Sequence, residues 1–265
     1  MNIPIYQVDA FTIKPFTGNP AAVCLLEKTK ADTWMQNVAS EMNLSETAFL
    51  VPKRDGYHLR WFTPTTEVEL CGHATLASAH ILYEFGFYEE DETIEFYTLS
   101  GTLTASYNNA IISLDMPRRE AALIEPPSVL TDVLGVAPIT TAIFEDKLIL
   151  AEFENEDQVR SFLPNFKRIA ELPQHEVVIT AKAEAGKYDF VSRFFAPKMG
   201  INEDPVTGSA HCFLGPYWSA KLGKEQFIAY QASPRGGEVC VRLEKDRAFI
   251  GGKAVTVLQG ELVHQ

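Results

Sequence analysis

Arg60-Trp61-Phe62-Thr63-Pro64 and, about half a chain later, Arg193-Phe194-Phe195-Ala196-Pro197 are one phrase written twice. Downstream of each, a glycine, a polar residue and an alanine open an apolar segment: Gly72-His73-Ala74 first, Gly208-Ser209-Ala210 second. An acid precedes each glycine, Glu69 in the first case and Asp204 in the second. The simplest reading is an old duplication that made two similar halves. A pseudo-twofold axis between them would turn the two helix starts toward one cleft, where the function is expected.

Working outward from the first phrase, runs such as Ile3–Asp9, Ala21–Leu26, Thr47–Val51, Tyr57–Phe62 and Leu103–Tyr107 alternate or carry β-favouring residues, with Gly, Pro or Asn between runs. Asn108-Asn109 reads as a hairpin turn. Trp34, Val38 and Met42 share one helix face, with Asp32 as the expected N-cap. His73–Phe85 is apolar nearly all round and is followed by Gly86, which reads as a buried central helix. Ser209–Leu222, closed by Gly223, is its expected counterpart, with Pro216 predicting a kink or an early stop near Gly215. Three prolines between Pro117 and Pro127 suggest a linker. The expected organisation is therefore an N-terminal half over 1–117, a linker over 118–127, and a C-terminal half over 128–265 whose last strand could pack on the first half. Lone helices among strands, without regular βαβ alternation, point to an α+β fold with mixed sheets.

The chain has 265 residues, 46% hydrophobic and 22% charged, the composition of an ordinary globular protein. Its net charge of −12 disfavours a nucleic-acid partner. No stretch has the apolar length of a membrane span, and the start lacks the pattern of a secretion signal. Four cysteines without CxxC spacing are expected as reduced thiols in a cytoplasmic protein.

Two glycine-led helix starts would offer unpaired N–H groups and positive dipole ends, a seat for a small carboxylate built on Gly72 and Gly208. The plainer reading is that each glycine only allows tight packing. Glu46, in Ser45-Glu46-Thr47-Ala48-Phe49, enters an apolar strand, where burial would suit it to acid–base work. Taken alone it is more simply a solvated turn acid, just as Asp204 before Pro205 is more simply a turn cap, and His73 and Ser209 are more simply structural. Cys71 precedes Gly72, but Thr207 precedes Gly208, so a two-thiol proton shuttle lacks its second thiol. No metal-ligand set, P-loop, GxSxG elbow or GxGxxG fingerprint is present, so no metal or cofactor is expected.

Thr17-Gly18-Asn19-Pro20-Ala21-Ala22-Val23, Ser45-Glu46-Thr47-Ala48-Phe49, Arg60-Trp61-Phe62-Thr63-Pro64 with Glu67-Val68-Glu69-Leu70-Cys71-Gly72-His73-Ala74-Thr75, and Asp204-Pro205-Val206-Thr207-Gly208-Ser209-Ala210 together resemble the phenazine biosynthesis PhzF-like isomerases. The resemblance implies the diaminopimelate-epimerase-like fold, two pseudo-symmetric halves each wrapping a sheet around a central helix, and homodimers. It implies a cofactor-independent isomerase of a small carboxylate, as in the biosynthetic member that isomerises trans-2,3-dihydro-3-hydroxyanthranilate. Glu46 would then move the proton, His73, Asp204 and Ser209 would assist, and Gly72 and Gly208 would present backbone donors to the substrate. Cys71 stands where related racemases and epimerases keep one catalytic thiol. The alternatives are thus a one-thiol amino-acid racemase or epimerase, and a non-catalytic ligand-binding or interaction protein.

Overall fold

The alternation at the start of the chain becomes strand β1 (Ile3–Ala10) in the computed structural model, which describes residues 2–184 and 186–263. The chain divides into two units, one formed by Met1–Met116 with Phe249–Gln265 and the other by Pro117–Ala248.

In the first unit β2 (Asn19–Leu25) runs antiparallel to β1. Helix α1 (Asp32–Met42) then carries the chain to β3 (Glu46–Lys53), which lies parallel to β2. β4 (Gly56–Phe62) returns beside β3, and β5 (Glu67–Val68) adds two residues to the other side of β4. Helix α2 (Gly72–Glu84) crosses to β6 (Ile94–Thr98), parallel to β4. β7 (Gly101–Asn108) and β8 (Ile111–Pro117) follow as a meander. The turn between them is Asn109-Ala110, both at positive φ, one residue later than the asparagine pair suggests.

The second unit repeats this connectivity. It begins with β9 (Ala122–Ile124) and helix α3 (Ser128–Leu134). β10 (Thr140–Phe144) pairs with β9 and with β11 (Leu148–Glu152), antiparallel in both cases. Short helices α4 (Glu156–Ser161) and α5 (Phe166–Ile169) lead to β12 (Glu176–Lys182), parallel to β11. β13 (Phe190–Ala196) is antiparallel to β12, and β14 (Ile201–Asp204) to β13. Helix α6 (His211–Leu222) crosses to β15 (Gln226–Gln231), parallel to β13, and β16 (Gly237–Glu244) completes the set. The order antiparallel, parallel, antiparallel, antiparallel, parallel, antiparallel therefore occurs twice, which gives the duplicated phrase its structural counterpart.

The chain then closes the first unit. β17 (Arg247–Gly252) pairs with β8, and β18 (Ala254–Leu262) runs antiparallel to β1. The first unit's strands thus form a ring with α2 packed on β1, β2, β3 and β18. Ala74, Leu76, Ala77, Ala79, Ile81 and Leu82 are all fully buried, which explains a helix with no polar face. Each large side chain among them stabilises the unit by ~2 kcal/mol. The hydroxyls of Thr75 and Ser78 are satisfied inside the helix by the carbonyls of Cys71 and Ala74.

Helix α6 is wrapped the same way. Phe213 stacks on Phe144, the Tyr217 hydroxyl donates to Glu152, and the Trp218 indole donates to Thr180. Gly215 faces β16 so closely that a Cβ would stand 2.8 Å from Val241 Cγ1. Pro216 neither ends this helix nor stops it near Gly215; it continues to Leu222. Pro216 has no N–H to give the Cys212 carbonyl, and the backbone N–H of Arg119 takes that place at 3.0 Å. This donor comes from the stretch expected to be a linker. Residues 118–127 are not a free connection: they lie in the second unit, contain β9, and supply the amide that lets Pro216 sit in a helix. The last strand joins the first unit through the β1–β18 ladder, as the expected organisation allowed, and that unit takes in the chain from Phe249 onward.

Candidate active site

Glu46 opens β3 and His73 is the second residue of α2, both in the first unit. Thr47 stands opposite Phe62 in the β3–β4 ladder, and Phe62 stands opposite Glu67 in the β4–β5 ladder. The end of β4 is thus flanked by the strand that starts at Glu46 and by the strand that leads to His73. Glu46 is 9% exposed and His73 5%, so neither is the solvated surface group that each would be in isolation.

Glu46 Oε2 lies 3.2 Å from His73 Nε2. The other ring nitrogen, Nδ1, is 3.5 Å from Cys71 Sγ. The three side chains form one compact cluster of carboxylate, imidazole and thiol. Burial by itself would lower the pKa of His73, but Cys71 and Glu46 beside it overcome that and hold it well above the usual imidazole value. Burial raises the Cys71 thiol, and the Glu46 charge raises it further, against the opposing pull of His73 and the Ala74 amide. The cluster therefore pushes His73 toward the imidazolium form and Cys71 away from the thiolate form.

Glu46 Oε2 and His73 Nε2 are close, yet neither has an aligned hydrogen-bond partner. A buried polar atom left in that state costs ~1–3 kcal/mol, so its presence marks a site kept for something other than stability. The donor atoms of Glu46, Cys71 and His73 lie within 4.8 Å of one another. The imidazole, however, turns a different nitrogen to each neighbour, which suits a proton relay.

In the second unit Asp204 ends β14, and its carboxylate accepts the Thr207 hydroxyl. Gln231 ties this turn together: its carbonyl accepts the Thr207 N–H at 2.8 Å, and its amide donates to the Asp204 carbonyl at 2.8 Å. Ser233 donates to the Pro205 carbonyl at 2.7 Å. Gly208 is buried and Ser209 is exposed. Ser209 does not begin the α-helix as expected. Residues 208–210 make a tighter turn in which His211, Cys212 and Phe213 donate to the carbonyls three residues back, and α6 starts only at His211. Asp32 is likewise not the N-cap of α1; Ala31 holds that place, and the Asp32 carboxylate instead accepts Arg60 Nη1 at 2.7 Å.

Several polar partners were not legible as site residues. Arg60 forks Glu67, and Arg193 forks Glu203, where the acids singled out by spacing were Glu69 and Asp204. Gln231 and Ser233 lie far from the Asp204 motif in sequence and carry no signal of their own. Asp9, buried at the end of β1, accepts the Phe16 N–H at 2.7 Å and so holds the loop that carries Thr17-Gly18-Asn19.

The same elements occur in known proteins. A family model described as phenazine biosynthesis-like protein matches residues 8–260. The chain belongs to the phenazine biosynthesis-like family. It is 52% identical over 264 residues, 99% of each chain, to an uncharacterized isomerase of Halalkalibacterium halodurans. A crystal structure of a PhzF-family phenazine biosynthesis protein from Enterococcus faecalis superposes with a TM-score of 0.95 at 40% identity, covering 100% of both chains. A probable proline racemase from Agrobacterium radiobacter shares the fold alone, with a TM-score of 0.67 at 12% identity over 99% of this chain and 93% of that one. The fold is accordingly the α+β, diaminopimelate-epimerase-like one, and this PhzF-like protein is an isomerase of its family. Among the described residues, no helix is long and apolar enough to cross a membrane.

Proposed function

We propose that this PhzF-like protein isomerises a small carboxylate by moving one proton, with Glu46 as the acid–base group. The carboxylate of Glu46 takes a proton from a carbon next to an unsaturated or carbonyl system. The electron pair shifts along that system, and the proton returns at another carbon, so no atom is gained or lost. His73, its pKa raised beside Glu46 and Cys71, offsets the developing negative charge. Asp204 and Ser209 are proposed to handle the substrate, and the backbone N–H groups at Gly72 and Gly208 to bind its carboxylate. The reading needs no cofactor. It carries with it a homodimer and a cytoplasmic setting, of which sedimentation velocity checks the first.

The observation that carries this reading is the 3.2 Å approach of two buried, otherwise unpartnered atoms, Glu46 Oε2 and His73 Nε2. Cys71 is the weaker candidate for the base, since burial and the Glu46 charge both hold its thiol up and away from the thiolate form. The test is proton exchange in deuterium oxide, followed by NMR, with trans-2,3-dihydro-3-hydroxyanthranilate and a panel of small unsaturated and amino carboxylates. Wild type is expected to incorporate deuterium into at least one of them, and Glu46→Gln to lose ~10²–10⁴ of that rate. A Glu46→Gln variant that exchanges as fast as wild type removes the mechanism. Loss of exchange in Cys71→Ala with Glu46→Gln unaffected would move the base to the thiol.

A further inference from the structure

Each half of the duplicated phrase opens with an arginine, and the two arginines do the same thing in their own units. On β4, Arg60 Nε and Nη2 grip the two oxygens of Glu67 at 2.7 and 2.6 Å, Nη1 reaches Asp32 at 2.7 Å, and the guanidinium lies 5.1 Å over the Phe62 ring. On β13, Arg193 Nε and Nη2 grip the two oxygens of Glu203 at 2.7 and 2.9 Å, Nη1 reaches the Phe162 carbonyl at 2.6 Å, and the guanidinium lies 5.3 Å over the Phe195 ring. The side chains are 14% and 7% exposed, so water does not screen the forks away.

What each fork holds is a return strand too slight to hold itself. β5 has two residues, paired through Trp61↔Val68 and Phe62↔Glu67 only. β14 has four, with an irregular register between Phe194 and Ala196. Each strand delivers polar groups of the site. Glu67 leads into Cys71, Gly72 and His73, and Glu203 is joined directly to Asp204. Few ladder bonds would let these strands fray. A planar, bidentate grip fixes both position and orientation, which a lysine cannot do.

We propose that Arg60 and Arg193 are positioning residues, each fixing through its glutamate fork the proton-handling groups that follow in its own unit: Cys71 and His73 for Arg60, Asp204 for Arg193. This role deepens the isomerase reading and rests on it for its purpose, but it shows in geometry without turnover. The experiment uses full-length protein labelled with ¹⁵N-histidine, in wild type, Arg60→Lys, Glu67→Gln and Arg193→Lys, with His73 assigned by substitution. Arg60→Lys and Glu67→Gln are expected to shift the His73 ring resonances and bring its titration midpoint down. Both should speed iodoacetamide labelling of Cys71, read by peptide mass, by about tenfold relative to buried Cys24. Arg193→Lys, the loss of an equivalent and more deeply buried fork, is expected to leave His73 and Cys71 as in wild type. Unchanged His73 signals in both first-unit variants overturn the role, and so does an equal change in Arg193→Lys, which would mean general loosening. Should Arg60→Lys fail to fold, Glu67→Gln, which keeps shape and removes only charge, decides the matter. Should wild type exchange no substrate proton while the first-unit variants show these shifts, the isomerase mechanism would sink and the positioning role would stand.

Discussion

Glu46 Oε2 stands 3.2 Å from His73 Nε2, the first residue of a strand against the second residue of a helix. Neither is placed by a regular partner: the helix is held by its apolar surface and the strand by its ladder, so the two polar atoms meet because their backbones do. The thiol of Cys71 completes the cluster, 3.5 Å from the ring's Nδ1.

Removing the charge of Glu46 should be visible on His73. In Glu46→Gln, measured by NMR titration, the His73 midpoint falls below that of wild type, because one of the two partners that raise it is gone. The effect on stability has a definite sign. A raised folded pKa adds stability that is fully present below the ordinary imidazole value and is lost as pH rises through the folded value. Chemical denaturation across that alkaline window should therefore show wild type losing more stability than Glu46→Gln.

His211 titrates with the opposite sign. It is fully buried on α6, its Nδ1 bonded to the Thr207 carbonyl at 2.9 Å, and burial brings its pKa down to about 4. The folded second unit binds this proton later than the unfolded chain does, so stability falls as pH drops from ~6.5 toward 4. The gap corresponds to ~3 kcal/mol over that window. Urea denaturation at several pH values should show this slope, and His211→Gln should flatten it.

Two glycines at positive φ separate backbone strain from collision. Gly18 has φ +67°, and a Cβ there would meet the Ala10 carbonyl oxygen at 2.2 Å. Gly86 has φ +68° and open space around it. Gly86→Ala should cost ~1 kcal/mol, the left-handed backbone alone. Gly18→Ala should cost clearly more, ~3 kcal/mol or above, because the loop must also move off β1. Midpoints of urea unfolding measure both.

The Arg119–Cys212 bond gives a further stability test. Arg119→Pro removes the amide that satisfies the carbonyl freed by Pro216, and it should cost ~1–3 kcal/mol. Arg119→Ala keeps that amide and loses only the side chain, which lies 5.3 Å over the Phe144 ring, so ~1 kcal/mol or less is expected. Equal losses in the two variants would show that the bond does not support the helix.

The strands were legible because their signal is local. Period-two alternation at Ile3–Asp9 or Leu103–Tyr107 needs no knowledge of the partner strand, and the apolar girth of α2 already states that it is enclosed. Glu46, His73 and Asp204 were singled out by motif. What spacing missed was partnership. Glu69 and Asp204 are the acids closest to the repeated glycines, yet the arginines take Glu67 and Glu203. On paired strands a side chain's neighbours depend on register and face, and Glu67 stands opposite Phe62, diagonal to Arg60, while Glu69 is exposed. Pro216 misled for a similar reason, since its consequence depends on whether some other amide can reach Cys212.

By itself, then, the sequence determined the repeated strand and helix order and the motifs that place the chain among PhzF-like isomerases, because backbone periodicity and short motifs are properties of neighbours along the chain. Only the tertiary structure decided which carboxylate each arginine grips and that Glu46, His73 and Cys71 form one cluster. Those outcomes follow from strand register and helix placement, which depend on the packing of residues distant in sequence.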